Sequence, residues 1–411
     1  MPTPNAIVFR SIRAGLFAAI AVLATSPAAF ALDPEAFVSR MEALLTSYGL
    51  AVDLGPATLK GDKVRVEGFT GRILSDPESK TLTVSMPVTF SAVQEVGGGS
   101  YHVGEMLLPD VAYADGDTRI NVGKIRFTDL IVPGGTPASP VDLVRSMGGF
   151  SAGPMVFSTA GAEVIRVDTI TSANSFQPEQ SAPDLQSVGS TFTLAGLHVD
   201  LTTLPRGEGD AIVQALGLMQ LDGQFTETVD WALTNGDLSV SEFALDIANQ
   251  GRLEMNFALS GYTLSLLNSI YQASEQLNAI NPETDPDKHA AAQQALGMSI
   301  LAQLSVKSFA LRYEDHSFAN KLLNVMAAGK GTTEDMRQGL KTMAQEWLTG
   351  LNSPEISRLA SGPISSFLDN PQSFSVSVAP TRPLSFIELV GLAQVPGLLL
   401  QNLQLQITAN D

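Results

Sequence analysis

The segment Leu253-Glu254-Met255-Asn256-Phe257 alternates apolar and polar side chains at every position. The same period of two recurs in Thr191-Phe192-Thr193-Leu194 and Val64-Arg65-Val66, and turn sequences such as Asn235-Gly236-Asp237 separate these runs. Such alternation is typical of strands with one buried and one solvated face, and close turns favour antiparallel pairing. We therefore predict an antiparallel sheet between Leu50 and about Gly261.

Six strand-like runs share a second pattern, with apolar residues at positions i, i+3 and i+5. Positions i and i+3 of a flat strand face opposite sides of the sheet, so the pattern indicates a bulge, a sharp bend, or a strand buried on both faces. Repeated bends would give a curved sheet. The six runs are Leu108/Val111/Tyr113, Val122/Ile125/Phe127, Leu194/Leu197/Val199, Val240/Phe243/Leu245, Val306/Phe309/Leu311 and Leu400/Leu403/Leu405.

Helical periodicity dominates from about residue 261 to 370, where apolar residues recur at spacings of three and four. The fold class is therefore α+β: a mainly antiparallel, curved β-sheet with a helical layer. Capping residues and glycine stops set the helix ends. The predicted helices are Asp33–Gly49, Val141–Met147, Ala211–Met219, Leu264–Ala279, Pro286–Gln303, Ser317–Ala328, a segment beginning at Thr332 or Thr333, and Leu384–Ala393.

The chain divides into four regions. Residues 1–31 are a signal peptide, 32–260 hold the first helix and the β-rich region, and 261–370 are mainly helical with one strand at 304–313. Residues 371–411 form a strand, a helix and a strand, and the last strand is expected to return to the sheet. Those two strands are predicted at Ser373–Val378 and Leu399–Thr408.

The first 31 residues have the three zones of a secretory signal. Arg10 and Arg13 precede an apolar run from Ala14 to Ala24, and Ala29-Phe30-Ala31 offers a cleavage site. A membrane anchor is the alternative, but about ten apolar residues are too few to cross roughly 30 Å of hydrocarbon. We expect cleavage after Ala31 and a soluble periplasmic product without a transmembrane anchor.

The charge of the chain excludes several classes of partner. The sequence has 42 acidic and 24 basic residues, a net charge of −18, and the signal carries only basic ones. An acidic protein of this kind is repelled by nucleic acids and anionic membrane surfaces. The sequence also contains no cysteine, which excludes disulfides, thiol catalysis and thiolate metal sites.

Four local motifs resemble catalytic or metal sites, and we interpret each as structural. Gly149-Phe150-Ser151-Ala152-Gly153 matches a nucleophile elbow, but a helix precedes and a strand follows, so we predict a helix-to-strand loop. Asp315-His316-Ser317 places acid, base and hydroxyl side by side, where they cannot converge, so Asp315 or Ser317 is predicted to cap a helix.

The other two motifs lack required residues. Gly329-Lys330-Gly331-Thr332 lacks the first glycine of a phosphate loop, because residue 324 is Asn, and is predicted to separate two helices. The oxygen-rich segment from Asn281 to Asp287 has Pro286 where a calcium loop needs glycine, and is predicted to cap the next helix. The four histidines are not paired at metal spacing, and we expect no cofactor and no metal.

Three features resemble a class of exported β-rich proteins of alphaproteobacteria: the Ala-rich signal, the first helix ending in "SYGL", and the strand "GDKVRVEGF" at Gly61–Phe69. The recurring strands are similar in texture to the long curved sheets of AsmA-like envelope proteins. The resemblance covers about the first 75 residues and the recurring strands, and carries no catalytic or binding residue. It implies an envelope protein without known chemistry.

The sequence predicts a non-catalytic protein, because no polar residues converge on a reaction site. We expect it either to act as a scaffold for envelope proteins or to shelter an apolar ligand such as a lipid. The alternatives are a secreted hydrolase acting on envelope material through Ser151 or an Asp/Glu pair, and a solute-binding protein. If the sheet curves, the residues expected to line an apolar groove are Val122, Phe127, Leu194, Val199, Val240 and Leu245. The alternative is that the same residues pack under the helices as a filled core, and the sequence favours this alternative.

Overall fold

A computed structural model describes residues 32–74, 80–135, 138–178, 180, 184–204, 207, 209–281, 284–350 and 353–411. The predicted signal peptide, residues 1–31, and the expected cleavage site after Ala31 lie outside these residues. Helix accounts for 33% of the structure and strand for 43%, arranged as large antiparallel sheets with helices, which confirms the α+β class.

The helices concentrate in the second half of the chain. The helices among the described residues are α1 (Pro34–Ser47), α2 (Pro140–Val144), α3 (Asp210–Ala215), α4 (Leu264–Asn278), α5 (Pro286–Gln303), α6 (Phe318–Ala327), α7 (Thr333–Gly350), α8 (Pro354–Asp369), α9 (Phe386–Leu392) and α10 (Pro396–Leu403). The predicted helices are confirmed, although α2 and α3 are shorter than expected. Met147, the expected end of α2, is instead the first residue of a strand.

The strands fill most of the first half and return between and after the later helices. They are β1 (Leu50–Leu54), β2 (Ala57–Lys60), β3 (Lys63–Val66), β4 (Phe69–Ile73), β5 (Leu82–Val84), β6 (Val88–Gly97), β7 (Ser100–Leu107), β8 (Val111–Asp115), β9 (Thr118–Val122), β10 (Arg126–Val132), β11 (Met147–Ala152), β12 (Met155–Thr159), β13 (Ala162–Gln177), β14 (Ser187–Asp200), β15 (Gln220–Ala232), β16 (Asp237–Ile247), β17 (Gly251–Ser260), β18 (Ser305–Asp315), β19 (Ser373–Val378), β20 (Leu384–Ser385) and β21 (Gln406–Ala409).

One long antiparallel sheet passes through all three regions that were predicted to follow residue 31. Its strands pair in the order β2, β3, β6, β7, β10, β11, β13, β14, β15, β16, β17, β18, β19, β21. The N-terminal part of β13 instead pairs with β12. Strand β12 in turn pairs with β9, and β9 pairs with β8. The sheet is open rather than closed, and a separate small sheet joins β1, β4 and β5.

A bend crosses neighbouring strands at one level of the sheet. It separates β7 from β8, β10 from β9, and β11 from β12. Backbone hydrogen bonds tie the bent segments together: the N–H of Leu108 donates to the carbonyl of Ile125 at 3.0 Å, and that of Gly123 donates to Pro154 at 3.1 Å. The bend therefore explains the i, i+3, i+5 pattern in the first two of the six runs.

Bulges explain the next three runs. In β14 the register with β15 shifts between Leu194 and Leu197, and in β16 it shifts between Val240 and Phe243. In β18 the extra residue is Lys307, because Val306 pairs with Leu259 and Ser308 with Ala258. An extra residue returns positions i and i+3 to one face, so the predicted bulges are confirmed.

The sixth run is not a strand, and the predicted strand Leu399–Thr408 is wrong over most of its length. Residues 396–403 form α10, with Pro396 at its first turn, and only Gln406–Ala409 pair with β19. Pro is well suited to a helix start, and Leu400 and Leu403 then share a helical face. Gln404 ends the helix in a left-handed conformation with φ of 50°.

Helices cover the apolar side of the sheet near its two ends. At the N-terminal end, the ring of Phe37 in α1 packs edge-on against Phe90 and Tyr101, with centroids 5.1 and 5.4 Å apart, and all three are buried. At the other end, the ring of Phe367 in α8 packs against Tyr313 and Phe374, with ring centroids 6.2 and 5.7 Å apart.

Candidate apolar binding face

The alternate residues of β15 define five rows of side chains on one face of the sheet. These residues are Leu221, Gly223, Phe225, Glu227 and Val229, and β15 keeps its alternation because the bulges lie in its neighbours. Residues paired directly across antiparallel strands share a face. Cross-strand pairing therefore assigns every candidate residue to one of these rows.

All six residues that were predicted to line an apolar groove lie on these five consecutive rows. Val199 lies opposite Leu221, Leu194 and Leu245 flank Phe225, and Val240 lies opposite Val229. Phe127 reaches the Glu227 row through Phe150, Ser172 and Phe192, and Val122 reaches the Gly223 row through Met155, Val167 and Leu197.

The central row crosses fourteen strands and is apolar at all but two positions. At a strand spacing of about 4.8 Å it follows the sheet for about 60 Å. Its members, in order, are Leu59, Val64, Phe90, Met106, Phe127, Phe150, Ser172, Phe192, Glu227, Phe243, Met255, Leu311, Val376 and Ile407.

The opposite face of the same strands is polar. The sheet therefore has one polar face that water solvates well and one apolar face that water solvates poorly. From β14 to β19 the polar face carries Thr191, Thr193, Thr226, Thr228, Glu242, Glu254, Asn256, Arg312, Ser375 and Ser377.

Along the central row, burial decreases away from α1. Val64 and Phe90 are 0% and 1% exposed, whereas Phe127, Phe192 and Phe243 are only partly buried. Of the six candidate residues, Val240 alone is fully buried, at 5% exposure. The middle of the central row is therefore incompletely covered by the described parts of the chain.

Aromatic rings form the centre of this partly covered region. Phe225 of β15 lies between Phe192 and Phe243, with ring centroids at 6.0 and 4.9 Å. Sequence reasoning did not select Phe192, Phe225 or Phe243 for the groove. Their alternation with polar residues was visible, but their common row depends on strand order and register, which alternation does not specify.

A cavity of about 260 Å³ opens beside the rows of Phe225 and Gly223. Its walls are almost entirely apolar, and it brings the candidate residue Leu245 together with residues of β17, β18 and α6. It is lined by Leu218, Leu221, Leu245, Ile247, Gln250, Gly251, Leu253, Tyr313 and Phe318. Leu253 is 36% exposed here, so the apolar face remains open to solvent at this point.

The serine of the nucleophile-like motif lies within a strand. Ser151 belongs to β11 and pairs with Arg126 on one side and Thr171 on the other. The predicted helix-to-strand loop is wrong for Gly149–Ala152, which continue the sheet because both neighbouring strands bond to them. A serine in mid-strand is not presented on a sharp turn, as nucleophilic attack through this motif requires.

The Asp315-His316-Ser317 motif serves to begin a helix. Asp315 Oδ1 accepts a hydrogen bond from the backbone N–H of Ala319 at 2.7 Å and another from the Tyr313 hydroxyl at 2.8 Å. Ser317 instead donates to the carbonyl of Asn249 at 2.7 Å. Capping by Asp315 is thus confirmed. Burial and, secondarily, the Asp315 hydrogen bond raise the pKa of Tyr313.

The remaining motifs also have structural roles. Thr332 caps α7 through reciprocal hydrogen bonds with Asp335, which confirms a helix start at this point. Asp285 occupies the N-cap position of α5, but its carboxylate makes no capping hydrogen bond and instead pairs with Lys288 Nζ at 2.9 Å. Within the described residues, no three His, Asp or Glu side chains are grouped so that they could hold a metal ion.

Comparison with protein families matches residues 244–410 to a family described as "Uncharacterized protein". The matched segment begins in β16 and includes the later helices and the strands from β17 to β21. No curated protein matches the chain. Among the residues that the structure describes, no helix is both long and apolar enough to cross a membrane.

Proposed function

We propose that this protein is a non-catalytic component of the cell envelope that binds the hydrocarbon chains of lipids on the apolar face of its sheet. The observation that carries the proposal is the central row, which is apolar at twelve of its fourteen positions yet is only partly buried from Phe127 onward. An apolar surface left in contact with water is typical of a binding site. Export through a cleaved signal is part of the same proposal.

Hydrocarbon chains suit this face better than a polypeptide does. The backbone donors and acceptors of the middle strands are used in pairing, so a peptide could not add to the sheet there as a further strand. Only side chains are available for contact, and in the central row from Phe192 to Leu311 they are apolar except Glu227. Each buried methylene contributes about 0.8 kcal/mol, so a long chain gains affinity without polar contacts.

The proposal is tested by displacing a fluorescent fatty-acid analogue from the purified protein. Leu194→Asp should weaken binding at least tenfold, because it places a carboxylate between the apolar residues Ile170 and Phe225, where its desolvation is costly. Thr191→Asp is the matched control, since Thr191 is on the same strand but exposed on the polar face. It should bind as the unmodified protein does.

Both variants must keep the melting temperature and circular dichroism spectrum of the unmodified protein for the comparison to hold. If Leu194→Asp unfolds the chain, Leu194→Asn provides a milder polar change at the same place. Absence of binding by the unmodified protein, or equal loss in the Leu194 and Thr191 variants, contradicts the proposal. A protein co-purifying on this face in place of lipid would support a scaffold instead.

A further inference from the structure

Four polar side chains interrupt the apolar face at one place: Ser172, Ser190 and Glu227, and Asn174, which lies opposite Ser190. Ser172 of β13 and Glu227 of β15 both lie opposite Phe192 in the central row. Ser190 of β14 lies opposite Val229 in the next row, so it is a diagonal neighbour of both. Diagonal neighbours on paired strands remain within reach of longer side chains. Ser172, Ser190 and Glu227 therefore form one polar cluster on adjacent strands, and Asn174 borders it.

The cluster has unused hydrogen-bonding capacity. The side chains of Ser172, Ser190 and Glu227 make no hydrogen bond or ion pair with any residue that the structure describes, and all three are partly buried. The nearby Asn174, by contrast, donates to the carbonyl of Met147 at 2.8 Å. Apolar side chains border Glu227 on both sides, since Phe192 and Phe243 are its cross-strand partners. Partial burial removes water from a carboxylate, so a hydrogen-bond partner would stabilise it, and Glu227 has none among the described residues.

Resting on the proposed function, we infer that the polar cluster binds the head group of an amphiphile that carries a protonated amine. The Glu227 carboxylate is a hydrogen-bond acceptor and attracts cations, and the two serines can accept the remaining ammonium protons or bond other polar atoms of the head group. The rings of Phe192 and Phe243 add attraction for a cation held beside them. The hydrocarbon chain then extends over Phe225 and its neighbours.

Other ligands match the cluster less well. An anionic head group is repelled by Glu227 and by the net charge of −18. A metal ion would find one carboxylate and two neutral hydroxyls, whereas protein sites for hard divalent cations use more oxygen ligands. A neutral head group could bond the serines but would leave the carboxylate without a counter-charge.

The test compares two probes with the same chain, dodecylamine and 1-dodecanol, used below the concentrations at which they aggregate. The unmodified protein should bind the amine about tenfold more tightly, because a hydrogen bond to a charged partner is stronger than one to a neutral partner. Glu227→Gln should reduce this preference to about twofold or less. Ser190→Ala should reduce it by a smaller factor.

Glu242→Gln is the matched control, because Glu242 lies on the neighbouring strand but on the polar face, near Arg252. It should retain the full preference for the amine. Equal binding of both probes by the unmodified protein overturns the inference and leaves lipid binding standing. A preference that survives Glu227→Gln also overturns it, because the acidic surface as a whole would then be the cause. If neither probe binds, the proposed function fails as well.

Discussion

At the scale of single residues, the polar side chains divide into those with structural partners and those without. Asp315 joins the end of β18 to the start of α6 through two hydrogen bonds, and Thr332 and Asp335 fix the start of α7. Helix caps of this kind follow from local sequence, and they were predictable. The isolation of Glu227 was not, because its apolar neighbours come from β14 and β16 and depend on register.

His198 provides a residue-scale prediction. Its Nδ1 lies 2.8 Å from Asp222 Oδ1, and this hydrogen bond is the main cause that raises the pKa of His198 above 6.5. An NMR titration should therefore place His198 above that value, and Asp222→Asn should lower it. His198→Gln identifies the resonance. An unchanged His198 pKa in Asp222→Asn would contradict the assignment.

The same pair predicts the sign of a small pH effect on stability. A pKa that is higher in the folded state favours folding below the unfolded pKa, and the contribution is lost as pH rises through the folded pKa. His198 and Asp222 should therefore stabilise the protein in acid and cease to do so above neutrality. Because both side chains are more than a third exposed, solvent screening keeps this contribution small.

At the scale of elements, sequence patterns predicted strand character and bulges more reliably than connections. The i, i+3, i+5 pattern correctly marks bends or bulges in five runs, because an extra residue must preserve the apolar face. It fails in the sixth, where Pro396 starts a helix over the same apolar spacing. Gly149 to Ala152 were expected in a loop, yet tertiary pairing with β10 and β13 makes them a strand.

The bend across the sheet gives an element-scale prediction. Gly153 has φ of 140°, and a Cβ there would lie 2.2 Å from the backbone oxygen of Asp168. Gly153→Ala should therefore move the adjoining strands and destabilise the protein by about 2 kcal/mol or more. Gly161→Ala is the control, because Gly161 also has positive φ, 82°, but open space around its Cβ position.

Chemical denaturation measures both substitutions. Gly161→Ala should cost only about 1 kcal/mol, the usual penalty for a left-handed alanine. The predicted difference therefore reports the close contact between strands at the bend. Equal destabilisation by the two substitutions would mean that this contact does not hold the bend in place.

At the scale of the whole molecule, helices cover the apolar face of the open sheet near both ends and, in the middle, around Trp231, where α2 and α4 pack. The rows of Phe225 and Glu227 between these covered parts are only partly buried. Helix α1 seals the row at Val64 and Phe90, and α8 packs on Tyr313 and Phe374. The antiparallel sheet was predictable from alternation. The continuity of one row across strands far apart in sequence was not, since it results from fourteen strands joining one sheet.

Photo-crosslinking in the expressing cell tests most directly whether this face holds hydrocarbon chains. A benzophenone amino acid is placed at Phe225 on the apolar face or at the adjacent Thr226 on the polar face, and illuminated adducts are identified by mass spectrometry. Lipid chain binding predicts a lipid adduct at position 225 and none at 226. A protein adduct at 225, equal lipid adducts at both positions, or no adduct at either would contradict it.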